Sequence, residues 1–443
     1  MAKKIELQTA KGVRDAGAEE LIVRNKLISK MIKIFEKYGF DPLETPLIER
    51  LDVLNVKFGA GEDSDVAKEI FRFKDQGDRD LGLRFELTLS MCRHVAMNPT
   101  IKLPFKRYEI GRVYRDGPIK LGRTREFYQC DVDIVGSKRM LADAECIRLA
   151  LDVFNALGLD AYIEVNNRKL LNGILEYAGV TENKRELTII TLDKLSKIGV
   201  QGVSDELKER GINITSIKKI IELLAVLKLE GNILDNIKEL KKLISNDIGK
   251  EGIKEIEELF SYFTKKEKEN IKFNSSLARG LSYYTGTVFE GFLRDSEITS
   301  SICGGGRYDE MIQMLMQSKD ALPAVGISFG LVPIMEEIKR KQTDFKKTVT
   351  QIYVVAIGDT AVDAIKIASD IRKAGLNCEV DLMNRNISKN LKYANGKQIP
   401  FVLFVGEKEL KSGKLKLRDM KSGKEKNIAS KNLIKDVKSS MSN

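Results

Sequence analysis

The chain predicts a multidomain fold, α+β in its body and α/β in its last quarter. Three observations carry that expectation. Two long strands pair through a loop near position 120, and further strands return only after position 279. A highly charged, mostly helical stretch from about 170 to 270 separates them. Beyond 348, strands and helices alternate. At 443 residues the chain is also too long for one ordinary core.

The first element is a helix over 18–38, AEELIVRNKLISKMIKIFEKY, whose Leu27, Ile28, Met31, Ile32 and Phe35 recur at helical spacing before the stop at Gly39. LETPLIERLDVL follows, extended around Pro46. GAGEDSD (59–65) is a polar loop, and without a preceding strand it is no dinucleotide fingerprint. LTLSMCRHVAMN reads as a helix that holds His94. Next come the strands KRYEIGRVYR (106–115) and REFYQCDVDIVG (125–136), joined by DGPIKLGRT. In the second strand Tyr128, Cys130, Val132 and Ile134 share an apolar face. Arg125, Phe127, Gln129, Asp131 and Asp133 share the other. A face of that kind is the floor of a polar pocket or a sheet surface open to water, and Phe127 favours the pocket.

The stretch 170–270 reads as a helical insertion between two parts of one sheet. Strands return at 279–292, at 300–303 and at PAVGISFG (323–330), which leads into a helix. GGGRYD (304–309) brings bare backbone close to a ligand or forms a bulge or turn. KRKQTDFKK (339–347) is a linker. The terminal domain then runs strand, helix, strand, helix, strand, followed by two strands with Ser-Gly turns and a last helix. That order implies a mostly parallel sheet with an antiparallel hairpin.

Composition narrows the chemistry. The five cysteines form no CxxC pair and read as buried thiols in a reducing compartment. His94 is the only histidine and reads as structural, so no histidine base, Ser-His-Asp triad or histidine-ligated metal is expected. No Walker A sequence occurs. MAKKIELQTA has no apolar core behind its lysines, and no apolar run spans a membrane, so the cytoplasm is expected. The net charge is +11, and from Lys339 onward 23 Lys+Arg face 11 Asp+Glu. The whole excess lies in that last quarter, which suits a polyanionic partner or a solvated lysine-rich surface. Arg115, Arg123 and Arg279 sit on or beside the pocket strands, and guanidinium forks suit phosphate oxygens.

Together these segments resemble the histidyl-tRNA synthetase family of class II aminoacyl-tRNA synthetases over nearly the full length. RGLSYYTGTVFE and GGGRYD resemble its two histidine signatures. YEIGRVYRDGPIKLGRTREFYQCDVDIVG is similar to motif 2, FEKYGFDPLETPLIE to motif 1, and LRFELT (83–88) to its amino-acid-binding turn. LDKLSKIG resembles the archaeal and eukaryotic-like branch. The resemblance implies catalytic core over 1–168 and 271–340, a helical insertion over 169–270, a linker over 341–348 and an anticodon-binding domain over 349–443.

It also implies attachment of histidine to tRNA(His) through histidyl-adenylate, with ATP and Mg²⁺, by a homodimer formed through motif 1. By resemblance Arg115 and Arg279 hold the α-phosphate and Arg123 the outer phosphates. Glu86, Leu87, Thr88 and Gln129 would hold the amino-acid end, with Asp133, Tyr283 and Tyr284 at the imidazole. Gly304, Gly305 and Gly306 would let backbone approach the ligand. Two departures stand out: Ser282 where the family has Asp, and Val332-Pro333 where motif 3 has Glu-Arg. They leave open a second class, a synthetase-like regulator that binds histidine or uncharged tRNA without aminoacylating it.

Overall fold

The computed structural model describes residues 6–56, 68–119, 124–226, 233–278, 283–341, 345–429 and 432–442. The GAGEDSD loop, Arg123, Arg279 and Ser282 lie outside them. Residues 1–14 and 27–341 form one compact unit, and residues 15–26 and 342–443 form the other.

The first unit is built on an eight-stranded sheet. Across it run Asp41–Pro42, Phe105–Tyr114, Glu126–Val135, Ala324–Gly330, Cys303–Arg307, Thr287–Leu293, Ala161–Asn167 and Ile271–Phe273. The interior pairs are antiparallel, and the two outermost are parallel. The helix Met140–Leu157 lies against it, burying Ala144, Ile147, Leu151 and Phe154 until Gly158 stops it in a left-handed conformation. Cys130, Val132 and Ile134 are buried, as their alternation predicts.

Strands Ala161–Asn167 and Ile271–Phe273 pair directly, Ile163 opposite Ile271. The chain therefore leaves the sheet after position 167 and returns beside its point of departure at position 271. The helices of the intervening segment bury their own apolar cluster, including Leu171, Leu175, Leu192, Leu207 and Ile220. A small sheet of Ile48–Arg50, Asp80–Leu83 and Arg72–Lys74 completes the unit; LETPLIERLDVL thus ends in a short helix, Leu51–Leu54, instead of staying extended.

GGGRYD forms neither bulge nor turn at its glycines. Cys303–Arg307 is a regular central strand, with Gly304 opposite Glu290 on one neighbour and Ser328 on the other. A Cβ on Gly305 would lie 2.0 Å from the Gly326 carbonyl oxygen, so the missing side chain lets adjacent strands close up. Arg307 is buried away from the pocket and pairs with Asp143 and, at 3.2 Å, Asp309. KRKQTDFKK begins inside the helix Leu331–Lys341, a correction to its reading as linker throughout.

The second unit holds a five-stranded sheet ordered Cys378–Val380, Ile352–Ile357, Phe401–Gly406, Lys414–Asp419, Glu425–Ala429. The first three are parallel and the last two form the antiparallel hairpin. Ile352, Val354, Leu403, Val405, Ala364, Ile371 and Val437 pack its core. Among the described residues, no helix is long and apolar enough to cross a membrane.

Candidate active site

The polar face of Glu126–Val135 is the floor of a pocket. Glu86, Thr88, Arg115, Gln129, Asp133, Tyr283, Tyr284, Gly304 and Gly305 all line it. Asp131, Tyr308, Gly326, Ile327 and Ser328 line it as well. Two of the expected residues stand apart. Leu87 is fully buried, its carbonyl accepts from Arg107 at 3.5 Å, and it does not line the pocket between its neighbours Glu86 and Thr88. Gly306 packs under Tyr284, whose Cδ1 would lie 2.8 Å from an added Cβ.

Each wall has a local cause. In LRFELT, Phe85 and Leu87 point into the core and the buried Glu86 faces the pocket just before the helix Thr88–Met97. The Leu89 amide there donates to the Glu86 carboxylate. Arg115 continues the hairpin ladder by donating its backbone N–H to the Arg125 carbonyl at 2.9 Å. Its Nε donates to the Phe85 carbonyl at 3.1 Å, and its guanidinium stands 5.1 Å from the Phe127 ring centroid. The fork is thereby held between a carbonyl and an aromatic face. Tyr283 donates to Glu86 Oε2 at 3.5 Å and packs 4.7 Å from Tyr284, centroid to centroid.

Asp133 is tied on both sides. Tyr308 donates to its Oδ1, and the fully buried Arg107 approaches its Oδ2 at 2.7 Å. Arg107 reaches Glu109 at 3.5 Å, and Glu109 accepts from Arg84 at 2.7 Å and from the Thr45 hydroxyl at 2.8 Å. A buried chain of alternating charge thus runs from the pocket floor to the segment before Pro46. Burial pushes the Glu86 carboxyl up to about 7 against the pull of Arg115, and pushes Asp131 up to about 8 against that of Arg107. Asp133 is raised by burial too, with Arg107 opposing.

The residues missed in the sequence had signals of uneven strength. Asp131 shares the floor by simple alternation, and Tyr308 lies within GGGRYD. Gly326 and Ser328 are recognisable only from register, opposite Asp133 and Asp131 respectively. An added Cβ on Gly326 would lie 1.9 Å from Asp133 Oδ1 and 3.0 Å from the Val132 carbonyl. Gly326→Ala is expected to cost about 1–3 kcal/mol in urea unfolding; an unchanged midpoint would mean that Asp133 can move aside.

A sheet of this order, antiparallel at its centre and carrying an arginine-and-carboxylate pocket, together with a separate α/β domain, defines a class II aminoacyl-tRNA synthetase. The comparisons agree. Residues 12–334 match the family description "Histidyl-tRNA synthetase", and residues 351–440 match "Anticodon binding domain". The chain is 42% identical over 424 residues to "Histidine--tRNA ligase 1" of Bacillus cereus, covering 95% of each chain. A solved histidyl-tRNA synthetase from Nostoc sp. PCC 7120 superposes with a TM-score of 0.83 at 29% identity, over 98% of this chain and 99% of that one. A Bacillus halodurans structure described as "ATP phosphoribosyltransferase regulatory subunit/histidyl-tRNA synthetase" gives 0.74 at 22%, over 91% and 99%, a likeness of fold. The chain belongs to the histidyl-tRNA synthetase family. These relatives are bacterial and lend no support to the archaeal and eukaryotic-like branch suggested by LDKLSKIG.

Proposed function

We propose how this chain, a histidine–tRNA ligase by family, holds its substrates. The observation that carries the reading is a set of buried acceptors in the pocket. Glu86 Oε1 and Gln129 Oε1 have no hydrogen-bond partner within the protein. A buried acceptor without a donor costs about 1–3 kcal/mol, and an ammonium group removes that cost. These two oxygens, with the Thr88 hydroxyl, hold the α-amino group of histidine. The imidazole lies toward Asp133, Tyr283 and Tyr284. Leu87 contributes backbone only, Gly304 and Gly305 keep the sheet bare beneath the ligand, and Gly306 makes room for Tyr284.

In the first step a histidine carboxylate oxygen attacks the α-phosphorus of ATP. The bond to the bridging oxygen breaks, and pyrophosphate leaves with that electron pair. The carboxylate is already ionised at neutral pH, so the step needs alignment and charge cancellation and no base. Arg115 serves the α-phosphate, joined by Arg279, while Arg123 reaches the outer phosphates. A terminal ribose hydroxyl oxygen of tRNA(His) then bonds to the histidyl carbonyl carbon. The bond from that carbon to the phosphate oxygen breaks, AMP leaves with that electron pair, and the hydroxyl proton passes to a phosphate oxygen or to water. Among the described residues no group of three His, Cys, Asp or Glu is placed to hold a metal. A Mg²⁺ ion accompanying ATP would be bound mainly by phosphates and water, and no step is assigned to it. The basic second unit suits the anticodon stem, and the cytoplasm and a homodimer through the motif 1 region complete the reading, with the segment boundaries expected from sequence.

One observation favours the regulator as a second reading. Val332 and Pro333 occupy the first turn of the helix Leu331–Lys341, where the family carries Glu and Arg. Proline suits that turn, so the fold tolerates it. Arg340, further along, is engaged with Glu297 at 2.9 Å. The test is histidine-dependent exchange of labelled pyrophosphate into ATP. Exchange is expected, with an ATP requirement about ten- to a hundredfold above that of a member with the arginine, as one lost charge-assisted hydrogen bond implies. Histidine binding with no exchange at any ATP concentration would leave the regulator standing.

A further inference from the structure

We propose that Asp131 is a binding residue for the α-amino group of histidine, the third acceptor in a set with Glu86 and Gln129. This inference rests on the histidine reading above and assigns a residue which that reading leaves out. Asp131 is 2% exposed, lines the pocket, and its Oδ1 has no hydrogen-bond partner in the protein. Among the described residues of the pocket, three buried side-chain oxygens share that condition, Glu86 Oε1, Gln129 Oε1 and Asp131 Oδ1, with Arg115 and Arg107 acting on the two carboxyls only through space. A fourth, Asp133 Oδ2, has Arg107 at 2.7 Å. An ammonium group carries three N–H donors, one for each of these oxygens, with the Thr88 hydroxyl sharing a donor at the rim of the set.

The neighbouring strand orients two of the three. Ser328 stands opposite Asp131 in register. Its hydroxyl accepts from the Gln129 amide nitrogen at 3.0 Å and donates to the Asp131 carboxylate. The Gln129 amide hydrogens are thus turned toward Ser328, which leaves Oε1 as the end offered to a ligand. Asp131 has one oxygen fixed and the other open. Ser328 is the positioning residue that presents both acceptors together. Burial raises the Asp131 carboxyl to about 8, with Arg107 and the Ser328 hydroxyl opposing. A structural role alone, as counter-charge to Arg107, does not account for the open oxygen, because Asp133 already sits on that guanidinium.

The experiment compares three ligands by calorimetry on the full chain: histidine, histidinol, which keeps the amino group, and imidazolepropionate, which lacks it. Asp131→Ala is expected to weaken histidine and histidinol about ten- to a hundredfold, with imidazolepropionate changed by less than about threefold. Asp131→Asn keeps an acceptor and loses the charge, so its losses follow the same order and are smaller. Should Asp131→Ala not fold, the asparagine variant carries the same comparison. Equal losses for all three ligands, or no loss for any, overturn the role of Asp131 while the histidine site stands. Wild-type protein that binds none of the three overturns the histidine reading itself.

Discussion

Arg115→Ala is expected to slow histidine-dependent ATP–pyrophosphate exchange by about 10²–10³. The guanidinium is held in advance by the Phe85 carbonyl at 3.1 Å and by the Phe127 ring. A donor fixed before charge develops needs no reorganisation when the α-phosphorus becomes five-coordinate, and that is where electrostatic stabilisation acts most strongly. The loss should fall on the rate more than on histidine affinity. Affinity will still suffer somewhat, because Arg115 opposes the rise of the Glu86 carboxyl. Without it Glu86 is protonated more readily and accepts less well from an ammonium. Arg115→Lys should recover little, since a point charge on a flexible stem cannot copy a planar fork held at one edge. Single-turnover adenylate formation separates the two effects. A wild-type rate in Arg115→Ala would remove the residue from the chemistry.

The pocket was legible in the sequence wherever one strand sufficed to reveal it. Period-two alternation places Gln129, Asp131 and Asp133 on one face without any knowledge of neighbours. What crosses strands was not legible. Arg107 lies directly opposite Asp133, so opposite charges meet across the hairpin, whereas Glu109 faces the like-charged Asp131. A loop as long as DGPIKLGRT does not specify register as a two-residue turn would. Ser328 and Gly326 lie nearly two hundred residues beyond their partners, and only the folded sheet brings them together. Leu87, whose side chain is buried, differs for another reason. A turn motif names consecutive residues, whereas the chain entering a helix sends neighbours to opposite sides. From sequence alone the glycine run fits either a close approach of backbone to a ligand or a bulge or turn. Here its lack of Cβ lets the Gly326 carbonyl and Tyr284 approach, which no local pattern could reveal.

The charge chain beneath the pocket supplies the largest expected effect on stability. Arg107→Met is expected to cost about 3–5 kcal/mol in urea unfolding of the first unit. Arg107 is fully buried, and Asp133 lies 2.7 Å and Glu109 3.5 Å from its guanidinium nitrogens. Burial works against its charge, yet Asp133, Asp131 and Glu109 raise its pKa overall. Methionine fills much of the volume and removes the charge, leaving Asp133 with Tyr308 as its donor and no cation. Glu109 keeps Arg84 at 2.7 Å, so the damage should centre on Asp133. Two controls distinguish an uncompensated charge from simple misfit. Adding Asp133→Asn to Arg107→Met should restore part of the loss, because the neutral amide no longer needs the cation. The deficit should also depend on pH. Burial already raises the Asp133 carboxyl, and losing Arg107 raises it further. A carboxyl whose folded pKa exceeds its unfolded value stabilises the fold at low pH and loses that contribution as pH rises through the folded pKa. The variant should therefore be closer to wild type near about pH 5.5 than near about pH 8. A deficit under about 1 kcal/mol, or one that grows as the pH falls, would show that Arg107 does not hold the Asp133 charge.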